Sequence, residues 1–298
     1  MLNGIINVYK EAGFTSHDVV AKMRGICGQK KIGHTGTLDP AAVGVLPVCL
    51  GSGTRLCDML TDRDKEYEAR LLLGVTTDTQ DTTGTVLEEK PVTCSEEEVR
   101  EAIKSFQGEI LQVPPMYSAL KVDGKKLYEL ARAGKEVERQ ARPVTIHRLE
   151  ILDMELPYVT LRVACSKGTY IRTLCDDIGK KLGCGGTMAA LTRTRVGEFA
   201  LDDAITLSEL QALKDSGRLE EAVYGVELCF QKCPALHVTA EHQKLIDNGN
   251  AFYPAQTLEK KTYDAGSWVR VYNAAGDFYG IYTYENRRHW YQPVKMLR

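Results

Sequence analysis

An α+β fold around a mixed, mostly antiparallel sheet with flanking helices, carrying a small β-rich C-terminal module, is what this chain of 298 residues predicts. Three observations lead there. Strand-like and helix-like runs are mixed without strict βαβ alternation. Turn and capping residues separate them at short intervals. Near Cys233 and Pro234 the composition shifts toward aromatic strands.

The elements follow in order. GIINVYK (4–10) reads as a strand. Ser16 is placed to cap a helix whose apolar positions Val19, Val20, Met23 and Cys27 share a face and which Gly28 ends. The turn GHTGTLDPAA (33–42) precedes an apolar strand, VGVLPVCLG, and YEARLLLGV (67–75) alternates enough for another. Ser95 with Glu98 forms a capping box before a helix carrying Val99, Ala102, Ile103 and Phe106. Strands are expected at 144–156 and 158–166, then a helix with Ile171, Leu174, Cys175 and Ile178. After a boundary at 232/233, a short helix around 240–247 ends at Asn248-Gly249, and the strands WVRVYN and FYGIYTYE follow.

Composition narrows the class. Apolar residues at 43% and charged residues at 26% are those of a folded globular chain. The longest apolar run, residues 42–50, is far short of the ~20 residues that span a bilayer, and no basic-then-apolar leader opens the sequence. Nine irregularly spaced cysteines fit reduced thiols, so a cytoplasmic location is expected. A net charge of −2 argues against a protein that coats nucleic acid generally. Locally the balance differs: residues 121–148 hold eight Lys/Arg against four acids, and RRHWYQPVKMLR at the end holds four basic residues and none acidic. Both runs carry aromatics, the pairing that phosphate contact and base stacking use.

Competing chemistries fail on spacing. No G-x-x-x-x-G-K-[ST] phosphate loop and no G-x-S-x-G nucleophile elbow occurs. Cys229, Cys233, His237 and His242 hint at zinc, but three residues between the Cys and His pairs are too few for a zinc-finger spacer of about 12. Neither a metal nor another cofactor is expected. Asp39 remains. A carboxylate before proline ordinarily caps a turn, and no Lys or Arg lies between Lys31 and Arg55 to pair with it. Gly33, Gly36 and Gly44 around it imply a closely specified backbone, and the strand after it would hold the turn rigid, as a reacting group needs.

GHTGTLDPAAVGVLPVCLG (33–51) resembles the signature of the TruB family of tRNA pseudouridine synthases, and so in order do KEYEARLLLGVTTDTQDTTG (65–84), VPPMYSALKVDGKKLYELARAG (113–134) and SKGTYIRTLCDDIG (166–179). The chain departs at Ala41 and Val43, where the family usually has Leu and Thr, and at Glu11, where it usually has proline. The resemblance implies a pseudouridine synthase fold over residues 1–232, with an RNA-gripping insertion at about 107–148, and a PUA-like RNA-binding domain over 233–298. It implies isomerisation of uridine 55 in the T-loop of tRNA, on a flipped-out nucleotide. By the same resemblance Asp39 is the nucleophile, attacking C1′ of the ribose or C6 of the uracil, Arg172 pairs with it, and Tyr67 stacks on the base near the C5 proton. Tyr170 and Leu191 become pocket walls, His34 fills the space the base vacates, and Lys10, Lys121, Lys125 and Lys126 contact the substrate. A monomer acting on the tRNA T-arm without a protein partner is expected. Two other readings use the same basic surfaces: a non-catalytic RNA chaperone, and an RNA-guided ribosomal RNA synthase.

Overall fold

The computed structural model describes residues 1–122 and 124–297; the side chains of Lys121 and Lys126 lie outside the described set. The first half runs β1 (Gly4–Lys10), α1 (Ser16–Cys27), β2 (Ile32–His34), β3 (Val43–Leu50), α2 (Cys57–Thr61) and β4 (Lys65–Leu73). A hairpin of β5 (Val75–Thr77) and β6 (Val86–Glu89) leads to α3 (Glu96–Lys104) and β7 (Gly108–Gln112). A second hairpin, β8 (Lys121–Val122) with β9 (Lys125–Lys126), precedes α4 (Leu127–Arg132). Then come β10 (Arg142–Glu155), β11 (Tyr158–Cys165), α5 (Ile171–Leu182), β12 (Gly186–Val196), β13 (Phe199–Ala200) and α6 (Leu207–Asp215). The C-terminal part holds β14 (Ala235–His237), α7 (Gln243–Asp247), β15 (Trp268–Tyr272), β16 (Phe278–Glu285) and β17 (Trp290–Met296).

The main sheet is ordered β1-β3-β12-β4-β11-β10-β7 and is antiparallel throughout except at β3–β12. That parallel contact is brief, with Thr192 opposite Val43 and Arg193 opposite Gly44. β12 is not evident in the sequence, because its run GTMAALTRTRV places polar and small residues where a core strand would carry β-branched ones. It nevertheless joins the two halves of the sheet. One half packs Val19, Val20 and Met23 of α1 against Ile6, Val8 and Leu46; the other packs Leu174, Cys175 and Ile178 of α5 against Leu71, Leu161 and Val163.

Three expectations are corrected. The cap of α1 is Thr15, which forms the capping box with Asp18. Ser16 is the first helical residue and completely buried, and its hydroxyl accepts from the Leu38 amide at 2.9 Å. Ile26, not Cys27, completes the buried face. The span expected for an insertion, about 107–148, overlaps the main sheet, since residues 108–112 and 142–148 lie in β7 and β10.

The C-terminal module is an open four-stranded sheet, β14-β15-β16-β17, with β14 parallel to β15. It is not packed on itself alone. Ile281 of β16 and Leu297 bury into a cluster with Ile5, Val45, Cys49, Val196 and Phe199 of the main body. Among the described residues no helix is long and apolar enough to cross a membrane, and no group of three or more His, Cys, Asp and Glu could hold a metal ion. His237 instead pairs with Glu259 at 2.6 Å, and His242 with Thr239 at 2.8 Å.

Candidate active site

The turn between β2 and β3 is tied down nearly residue by residue. Thr35 is fully buried, with its amide and hydroxyl both donating to the Pro47 carbonyl. Leu38 points into the core and is held by Ser16. The Ala42 amide donates to the Asp39 carbonyl at 3.1 Å, and the Gly13 amide to that of Pro40 at 2.9 Å. Gly36 (φ +125°) and Gly44 (φ +106°) supply the left-handed backbone that lets the chain turn this sharply. A Cβ at Gly44 would also stand 2.3 Å from the Arg193 carbonyl oxygen.

Lys10 lies beneath this turn, not on the RNA-facing surface that the resemblance suggests. It is completely buried, and its ammonium donates to the carbonyls of Glu11, Pro40 and Ala42. Burial pulls its pKa down to about 8, with the Asp39 charge pulling the other way. Its reach is spent on the backbone that carries Asp39.

The Asp39 carboxylate is met by Arg172 from the first turn of α5. Arg172 Nε is 3.0 Å from Oδ2, and Nη2 is 3.3 Å from Oδ1, a two-point grip that fixes the carboxylate plane. The guanidinium is 93% buried by side-chain area and is fully engaged: Nη1 donates to the Thr79 carbonyl at 3.0 Å, Nη2 to the Tyr117 carbonyl at 2.7 Å, and Asp81 stands 3.8 Å away. Asp39 itself keeps 40% of its side-chain surface open. Its pKa is raised. Removal from water is the largest cause and Asp81 adds repulsion, while Arg172 and Lys10 oppose the shift. The Arg172 pair therefore aims the group and only partly offsets burial.

The first turn of α5 is positioned from two sides. Tyr170, the residue before it, is clamped by Gln112 at the end of β7: the Gln112 Oε1 accepts from the Tyr170 amide at 2.7 Å, and Nε2 donates to its carbonyl at 3.0 Å. Gln80, in left-handed backbone (φ +63°), locks the segment 78–84 to the same helix through Thr173 and Asp176, both at 2.8 Å. In the sequence the pair Gln80–Asp81 stands out only as part of a family motif, and nothing marks Gln112. Their role depends on segments far apart in the chain, which no local pattern reveals.

Tyr67 sits in β4, with 8% of its surface exposed, opposite Arg193 of β12. Burial raises its pKa, and the Arg193 guanidinium opposes the rise. Tyr170 is half-buried beside Arg172, its phenol likewise pushed up by burial. Leu191 lies opposite Ala69 and packs in the α5-side core with only a sliver exposed. His34 accepts from the Gly36 amide at 3.3 Å through Nδ1 and meets His17 edge-on at 5.3 Å; burial lowers its pKa. Lys125 is exposed in the hairpin ahead of α4. Lys121 and Lys126 lie in the same hairpin, with side chains outside the described residues.

A buried guanidinium thus holds a carboxylate partly open to solvent, with the Tyr67 phenol on β4, one strand beyond β12, an arrangement suited to a nucleophile. The model of the TruB family pseudouridylate synthase N-terminal domain matches residues 24–171, and that of the tRNA pseudouridylate synthase B C-terminal domain matches residues 172–231. A tRNA pseudouridine synthase B of Alkaliphilus oremlandii is 46% identical over 297 residues, covering 100% of this chain and 98% of that protein. The chain belongs to the TruB family of pseudouridylate synthases. The Lachnoclostridium phytofermentans tRNA pseudouridine synthase B is 50% identical over 306 residues, covering 99% of this chain and all of its own. Among solved structures, a Cbf5-Nop10-Gar1 complex contains a chain of similar fold (TM-score 0.75, 27% identity), covering 99% of this chain and 85% of that one. An H/ACA RNP bound to a substrate RNA containing 2′-deoxyuridine gives the same TM-score and coverage at 25% identity. This TruB-family chain is an isomerase, and its matched family segments end at residue 231, just before the C-terminal sheet.

Proposed function

We propose that the enzyme converts the uridine at position 55 in the T-loop of tRNA to pseudouridine, acting in the cytoplasm as a monomer with no cofactor or partner protein. The observation that carries the reading is the Asp39–Arg172 pair, in which a carboxylate kept partly open to solvent is aimed by a buried, two-point guanidinium contact. Asp39 supplies the nucleophile, at C1′ or C6. The N1–C1′ bond breaks, the uracil turns, a C5–C1′ bond forms, the bond to the Asp39 carboxylate breaks again, and the C5 proton leaves while N1 gains one. Tyr67 stacks on the base near that proton, and Tyr170 and Leu191 wall the pocket. The base must leave the folded loop to reach them, at a cost of a few kcal/mol, and His34 takes its place. Segment 113–141, with Lys125 and its neighbours Lys121 and Lys126, grips the tRNA backbone, and residues 233–298 form a PUA-like module that adds affinity.

The curated relatives, 43–50% identical over most of the chain, carry the name tRNA pseudouridine synthase B. That favours a tRNA target for an enzyme acting alone over the setting of the H/ACA RNP and the Cbf5-Nop10-Gar1 complex, whose chains are 25–27% identical. The test incubates purified protein with unmodified tRNA transcript alone, digests to nucleosides and separates them by chromatography, because isomerisation leaves mass unchanged. One pseudouridine per tRNA is expected, and none from a transcript with cytidine at position 55. Asp39→Asn should remove turnover while tRNA affinity changes by less than about tenfold, or about 1.4 kcal/mol. Product formed only when a guide RNA is added would overturn the tRNA reading; near-normal turnover by Asp39→Asn would remove Asp39 from the chemistry.

A further inference from the structure

Arg193 heads the largest fully buried side chains of the described molecule, with 1% of its surface exposed, and no step above uses it. A guanidinium taken out of water needs compensation. Among the described residues no carboxylate forms an ion pair with it; Asp39 and Asp81 face Arg172 instead. Its Nε donates to the Val45 carbonyl at 2.8 Å, and Nη1 and Nη2 make long contacts of 3.5 Å to the carbonyls of Thr37 and Gly36 in the Asp39 turn. Tyr67 stands directly opposite in β4, and its phenol partly offsets the loss of proton affinity which burial imposes on Arg193.

Strand register makes this arrangement obligatory. Tyr67 and Arg193 are directly opposite in the antiparallel pair β4–β12, so their side chains share a face. Arg193 is also opposite Gly44 in the short parallel pair β3–β12, where a bare position 44 lets β12 approach. One side chain therefore spans the seam between the strand that follows Asp39 and the strand that bears Tyr67.

We propose that Arg193 is a positioning residue that couples Tyr67 to the Asp39 turn, so that carboxylate and phenol meet the flipped uracil in one fixed geometry. The inference rests on the roles of Asp39 and Tyr67 given above. A planar fork can hold Val45, the turn and the phenol together; a lysine can keep the charge and part of these contacts, and a methionine none of them.

The experiment uses the full chain with Arg193→Met, Arg193→Lys, Tyr67→Phe and both double variants. Thermal melting, tRNA affinity and single-turnover rate are measured for each. Arg193→Met should slow the single-turnover step about 100-fold, the size expected for a misplacement of about 1 Å, while the Kd for tRNA moves less than about threefold. Arg193→Lys should recover about tenfold of that rate. On the Tyr67→Phe background, Arg193→Met should slow the reaction by less than about tenfold, because the hydroxyl it positions is already gone. Should Arg193→Met fail to fold, Arg193→Lys on the two backgrounds carries the same comparison. Equal fold-losses on both backgrounds, or a loss confined to tRNA affinity, would overturn the coupling. Wild-type protein that makes no pseudouridine would instead remove the reading of the site on which the inference stands, a result distinct from wild-type activity with additive variants.

Discussion

The buried cations of this protein and the exposed ones of segment 113–141 do different work, and their surroundings say which. Lys10, Arg172 and Arg193 are each at most 6% exposed, and their donors go to backbone carbonyls around the Asp39 turn, or to Asp39 itself. Lys125, Arg132 and Lys135 are exposed on a hairpin, a short helix and the loop beyond it. Arg132 lies over the Tyr128 ring at 5.5 Å, an arrangement that leaves the guanidinium facing water. Charge count alone would group these residues. Desolvation separates them: a cation that has lost its water fixes geometry, and one that keeps it is available to phosphate.

Arg172→Met should break the buried set most severely. A rate loss of about 10²–10³ is expected, typical of removing a preorganised donor from a reacting centre, with tRNA binding little changed. The pH profile carries the sign. The proposed nucleophile role needs Asp39 ionised, and its pKa is already above the ordinary carboxylate value because burial outweighs the pull of Arg172. Removing Arg172 takes away the strongest opposing charge, so the acid limb of the rate profile should move to higher pH. An acid limb that stays put would mean that Arg172 aims Asp39 without affecting its charge.

Lys10→Met should act on stability first. It strands the carbonyls of Pro40 and Ala42 in a buried setting, at about 1–3 kcal/mol, measurable by denaturant melts. Wild-type Lys10 has its pKa lowered from 10.5 to about 8. Between those values the unfolded chain holds more protons than the folded one, so this residue makes stability rise with pH across that window. Lys65, also lowered to about 8 by burial, contributes in the same direction. The variant should flatten the rise without abolishing it; an unchanged slope would sink the assignment to Lys10.

The smallest effect on chemistry should come from Lys125→Ala with Arg132→Ala. Every cation removed from a phosphate lowers the slope of log K against log[salt] by about 0.7–0.9, so the pair should change it by about 1.4–1.8 units and raise KM. The rate at saturating tRNA should fall less than the affinity. A wild-type salt slope would place these side chains on a merely solvated face.

Local signals in the sequence announce local structure. The Ser95–Glu98 box does start a helix at Glu96, and the apolar run after Asp39 is β3. Asp39 stands out because a carboxylate among glycines, ahead of a core strand, is hard to explain by packing alone. Residues defined by distant partners stay hidden. Arg193 reads in LTRTRV as one of two strand arginines, and nothing local says that a bulge between Arg193 and Arg195 turns one inward and the other out. The 232/233 boundary likewise rests on composition. Composition cannot show that Ile281 and Leu297 complete a core begun by Ile5 and Val45.

The insertion of β12 between β3 and β4 has a kinetic consequence. Arg193 contacts Val45 across 148 positions of chain, and β3 and β4 are joined in the sheet only through β12. Such late, long-range closure is slow to nucleate. A partly folded chain can hold the Asp39 turn against α1, or Tyr67 against β11, without bringing the two together. A chain in which β12 is not docked therefore lacks the joint placement of Asp39 and Tyr67 that the proposed reaction needs.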